Sequence, residues 1–91
     1  LNNLKAYYML FENWRAMLLT TENQVSIVHD EPRLLGMVHF ERGEYCQRLN
    51  DSEAALVEYA RCAEVSPDSE LVKRANAKLD QLIGTNQGPL H

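Results

Sequence analysis

Residues 54–67 read Ala-Ala-Leu-Val-Glu-Tyr-Ala-Arg-Cys-Ala-Glu-Val-Ser-Pro. Ala55, Leu56, Tyr59, Cys62 and Ala63 recur at helical steps, so one side of a helix carries them all. Ser66-Pro67-Asp68 closes that helix and opens the next, with Ser66 as cap and Pro67 in the first turn. On the other flank, Asn50-Asp51-Ser52 breaks the chain, and Asn50 with Glu53 has the form of a capping box. The spacing predicts a helix over 52–65.

Outward from this core the same period continues. From Pro32 to Leu49 the residues Leu34, Leu35, Val38, His39, Arg42, Tyr45, Cys46 and Leu49 mark a second helix. Gly43 lies inside it. A glycine there costs about 1 kcal/mol against alanine, so close approach of a neighbouring helix is its expected reason. Leu4, Tyr7, Tyr8, Phe11, Trp14, Met17 and Leu18 predict a helix over 4–19. Thr21-Glu22-Asn23-Gln24 resembles a capping box and predicts a short helix over 21–29. A continuation of the first helix and a brief extended segment are the alternatives. Asp30-Glu31-Pro32 is a boundary. Downstream, Leu71, Val72, Ala75, Leu79, Leu82 and Ile83 predict a helix over 68–83, stopped by Gly84. Residues 85–91 read as a flexible tail. Connections this short make consecutive helices antiparallel neighbours. The expected fold is all-α, with four to five helices in a single domain over 1–84.

The 34 residues from Gly36 to Ser69 resemble one tetratricopeptide repeat. Gly43, Ala55 and Cys62 stand at that family's small-residue positions, and Tyr59 stands at its large one. Leu49, Leu56 and Pro67 match its leucine, apolar and proline positions. His39, Arg42, Cys46 and Ser52 depart from it, because aromatic or leucine residues are common there. The resemblance implies antiparallel hairpins in a right-handed stack, with 3–30 as an N-terminal helical part and 68–83 as a capping helix. Ala77 would hold the small-residue position of a following repeat.

Composition narrows the function. The chain has 91 residues, room for one small domain. It starts at Leu1, which reads as a piece of a longer protein or a processed one. Net charge is −4 with no basic block, which argues against nucleic acid. No apolar run approaches the roughly 20 residues of a membrane span. No signal peptide is visible, and two cysteines fit a reducing compartment, so a cytoplasmic location is expected. There is no glycine-rich phosphate loop. Glu41 with Glu44, and Asp51 with Glu53, are paired carboxylates that read as solvated helix faces rather than acid–base pairs. His39, Cys46 and Cys62 could supply three soft metal ligands, but without a tight-spaced pair they read as core residues. Neither an enzyme nor a cofactor is expected.

The resemblance implies partner contacts from Met37, Phe40, Glu44, Gln47 and Arg48, with Arg74, Lys78 and Gln81 on the last helix. Two readings stand for Phe40: an aromatic awaiting a partner on a polar face, or one buried against the first helix. Some family members clamp a C-terminal carboxylate with lysine and asparagine, but Phe40 and Glu44 occupy those places. The aromatic stripe Tyr7, Tyr8, Phe11 and Trp14 reads as core or as a contact surface. The expected function is an adaptor or scaffold that binds a peptide or helix of a partner protein. The alternative is self-assembly through the aromatic N-terminal helix or by helix exchange.

Overall fold

The computed structural model describes the backbone of residues 2–87 and the side chains of residue 10 and residues 12–84. Among the described residues four helices follow one another: α1 (Asn2–Val28), α2 (Pro32–Arg48), α3 (Ser52–Val65) and α4 (Ser69–Gln87). No strand occurs among the described residues. Three-residue connections join them at 29–31, 49–51 and 66–68. Links that short turn each helix back on its predecessor. The result is an all-α stack of helical hairpins, with extents of 45 × 39 × 18 Å. Helix α2 is the hub. It packs most extensively on α3 and also touches α1 and α4, whereas α1 reaches only α2 among the described residues.

Local chemistry sets the boundaries. Pro32 opens α2 at its first turn, as expected. At its end, Asn50 adopts φ 61°. The Asp51 amide donates to the Cys46 carbonyl at 2.9 Å, and the Asn50 amide to Gln47 at 3.0 Å. This is a Schellman closure with asparagine in the left-handed position. Asn50 therefore ends α2 rather than capping α3. The α3 cap is Asp51, whose carboxylate accepts from the Ala54 amide at 3.1 Å. Similarly, Ser66 does not cap α4, and Pro67 lies in the connection before the helix rather than in its first turn. Its hydroxyl accepts from the Asp68 amide at 3.1 Å, and Asp68 caps the helix by accepting from Glu70 at 3.0 Å.

Two further expectations change. The helices predicted over 4–19 and 21–29 are one continuous α1. Thr20 and Thr21 turn their hydroxyls back onto the carbonyls of Ala16 and Leu18, so neither frees itself to cap a new helix. Gly84 does not stop α4, which continues to Gln87. Gly84 lacks the positive φ of a C-terminal glycine. Of the expected tail, 85–87 thus belong to α4, and 88–91 lie outside the described residues. The side chains of Tyr7, Tyr8 and Phe11 also lie outside them.

The core lies among α2, α3 and α4. It contains Phe40, Cys46, Ala55, Tyr59, Cys62, Leu71, Ala75 and Leu82. Ala75, not Ala77, is the buried small residue of α4, and Ala77 is exposed. Gly43 acquires its reason here. A Cβ added to it would stand 2.6 Å from Tyr59 Cε1, closer than carbon atoms approach. Tyr59 is wholly buried and its hydroxyl donates to Gln47 Oε1. Burial pushes its pKa up to about 12, with Glu44 adding to the shift. Gly36 is a second close approach, 2.6 Å from Ser66 Cβ by the same construction. Cys46 and Cys62 are free and buried, and burial raises both thiol pKa values.

Two glycine substitutions should therefore separate. Gly43→Ala forces the Tyr59 ring or the helix pair apart, an overpacking cost of about 1–3 kcal/mol. Gly84→Ala meets nothing within 4 Å and gains helix propensity, a stabilisation of up to about 1 kcal/mol. Thermal melts of the two variants should move in opposite directions.

Candidate functional site

Helical geometry assembles the site. On α2, Met37, Glu41, Glu44 and Arg48 fall at three- and four-residue steps and share one face. On α4, Leu71, Arg74 and Lys78 do the same. The two faces meet where α2 touches α4. Between them run two adjoining depressions. One, of about 210 Å³, is lined by Met37, Phe40, Glu41, Glu44, Leu71 and Arg74. The next, of about 240 Å³, is lined by Glu44, Gln47, Arg48 and Lys78. Seven of the eight residues implied as partner contacts thus border these two depressions, which share Glu44, and Gln81 lines neither.

Phe40 does not have the exposed role. It is 5% exposed and belongs to the core, edge-on to Tyr59 with ring centroids 5.3 Å apart. The Arg74 guanidinium lies over its ring at 4.8 Å. Phe40 forms the floor, and the accessible apolar group beside it is Met37, 52% exposed. Arg48 repeats the arrangement, lying 5.1 Å from the centroid of the Trp14 ring. Trp14 in turn stacks on Tyr45 at 5.8 Å, which fixes α1 against the end of α2. Gln47 spends its carbonyl oxygen on Tyr59. Glu44 and Lys78 are half-buried, and neither has an ion-pair partner among the described residues.

On the opposite side of α2 lies a network that the sequence reading did not assemble. His39 Nδ1 is 2.8 Å from Glu58 Oε1, and Arg42 Nε is 3.2 Å from Glu58 Oε2. Arg42 Nη1 donates to the Thr21 hydroxyl at 3.0 Å. One carboxylate on α3 thus holds two cation-capable groups of α2, and Arg42 carries the link to α1. Burial opposes ionisation of Glu58, but the hydrogen bond from His39 and the Arg42 charge outweigh it and lower its pKa. An ionised carboxylate only accepts, so His39 Nδ1 carries the hydrogen. The signal was present: His39 and Arg42 are two of the positions where the repeat pattern expects apolar residues. The network borders a cleft of about 290 Å³ between α1 and α3, with Val25, Val57 and Arg61 on its rim.

Among the described residues, no three His, Cys, Asp or Glu side chains are placed to hold a metal. No helix among them is long and apolar enough to cross a membrane. In comparison with protein-family models, curated proteins and solved structures, the chain matches none.

Glu58 yields a pH prediction. Its folded pKa lies below the ordinary glutamate value. The stabilisation is therefore complete above that value and is lost as pH falls through the depressed one. Glu58→Gln leaves Arg42 without its carboxylate and should cost about 3 kcal/mol at pH 7, toward the low end for a broken buried pair. Urea melts from pH 7 down to about pH 3 should show wild type and variant converging as Glu58 protonates.

Proposed function

We propose that the chain is a protein–protein interaction module of tetratricopeptide type, an adaptor or scaffold that binds a peptide or helix of a partner protein on the α2/α4 face. One observation carries this reading: Met37, Glu44, Arg48, Arg74 and Lys78 border two adjoining depressions that meet at Glu44, with exposed apolar surface and unpaired charge. The tight fit of Gly43 on Tyr59, beside buried Ala55 and Cys62, supports the repeat assignment. No chemical step is assigned to it, and no cofactor. Free thiols at Cys46 and Cys62 support a reducing, cytoplasmic setting.

The test is capture by the immobilised 91-residue chain with quantitative mass spectrometry. Met37→Asp places a charge in the groove at an exposed position. It should lower the yield of specific partners by about tenfold, or 1.4 kcal/mol. Leu34→Asp, on the α1/α2 side only, should leave it unchanged. Equal capture by wild type and Met37→Asp would contradict this face.

Self-assembly is a second reading, favoured by α1. Leu10, Met17, Leu19 and Ile27 are exposed along it, Leu19 at 63% and Ile27 at 77%. Light scattering after size exclusion decides: a dimer that Leu19→Asp dissociates supports this reading, and a concentration-independent monomer removes it.

A further inference from the structure

We infer that the α2/α4 groove takes an extended peptide segment of alternating charge, acidic–basic–acidic, rather than a uniformly acidic or basic one. The inference rests on the proposed role of this face and names the chemistry of its partner.

The groove is charged across its width. The α2 wall presents Glu41 and Glu44, and the α4 wall presents Arg74 and Lys78. Arg48 adds a third cation at the far end. Three of the nine Lys and Arg residues of a chain with net charge −4 thus gather here. None of the three has a carboxylate partner among the described residues. Arg74 and Arg48 are held by ring faces instead, over Phe40 and Trp14. Stacking satisfies the flat face of a guanidinium but leaves its in-plane N–H donors free for the bidentate grip of a carboxylate. Lys78 is half-buried without a counter-ion, and so is Glu44 on the facing wall. Each supplies half of an ion pair to an incoming chain.

Spacing selects the pattern. Arg74 and Lys78 are four residues apart, a rise of about 6 Å along the helix. In an extended peptide, residues i and i+2 are about 6.6 Å apart on one side, and i+1 points the other way. Two acidic side chains at i and i+2 therefore meet Arg74 and Lys78. The residue between them faces Glu44 and is required to be basic. Met37, with Phe40 beneath, offers an apolar seat at the end of the same path. A polyphosphate chain would meet the same cations but be repelled by Glu41 and Glu44 along its whole length, so a peptide is the occupant the walls select.

The experiment is fluorescence anisotropy with blocked synthetic peptides and the intact chain. The peptides carry Glu-Lys-Glu, the reversed Lys-Glu-Lys, or the same residues out of alternation as Glu-Glu-Lys. Glu-Lys-Glu should bind at least about tenfold tighter than either other peptide. Binding should weaken as salt rises through the range where the Debye length falls to about 8 Å. Lys78→Glu, with its fold checked by circular dichroism, should abolish the preference, and Arg74→Ala should weaken it. Equal binding of all three peptides, undiminished binding to Lys78→Glu, or tighter binding of a single-stranded oligonucleotide would each overturn the inference. So would no binding by any peptide. If Met37→Asp still lowers partner capture in that event, the face stands and only the ligand chemistry is wrong.

Discussion

Between α2 and α3 there is no room for a single methyl group. A Cβ on Gly43 would meet the ring of the fully buried Tyr59 at 2.6 Å. The missing side chain sets how closely the two helices approach, and the rest of the site follows from that distance. With its ring pressed on Gly43, Tyr59 meets Phe40 edge-on and reaches Gln47 with its hydroxyl. Phe40 then presents a flat face upward, and Arg74 of the next helix lies on it. A chain of contacts runs from a backbone vacancy in the core to a cation at the surface.

Helix α2 divides its circumference between two jobs. One side faces α4 and presents Met37, Glu41, Glu44 and Arg48 to the groove. The other buries His39 and Arg42, both held by Glu58 of α3, with Arg42 extending to Thr21 of α1. Buried ion pairs add little net stability over apolar packing, but removing one partner is costly because it strands the other charge. Here Arg42 ties α2 to Thr21 of α1, beside the half-buried Leu18 that packs against the core and the Trp14–Tyr45 stack near the end of α2.

The hairpin was legible in the sequence because its constraints are local. Pro32, Pro67 and the small residues Gly43, Ala55 and Cys62 act through backbone geometry and size, which spacing reveals. The register also brought Met37, Glu44, Gln47, Arg48, Arg74 and Lys78 around two adjoining depressions, while Gln81 lines neither. What depends on a tertiary partner was not legible. Thr21 has the form of a cap, but its hydroxyl bonds back to Leu18 and receives Arg42, so α1 runs on. Gly84 has the form of a stop, but α4 continues through it. Phe40 lies at a groove position, and only the Tyr59 ring behind it and Arg74 above it decide that it is floor rather than anchor. The His39–Glu58 pair spans two helices, so no spacing within one helix announces it.

The contact that orders this arrangement can be observed directly. In a nuclear Overhauser spectrum of the uniformly labelled chain, the Gly43 α-protons should show strong cross-peaks to the Tyr59 ring protons. They should also resonate upfield of ordinary helical glycine, because the ring face lies against them. Absence of those cross-peaks, with the Gly43 α-protons at ordinary shifts, would contradict the close approach of α2 and α3 on which the groove depends.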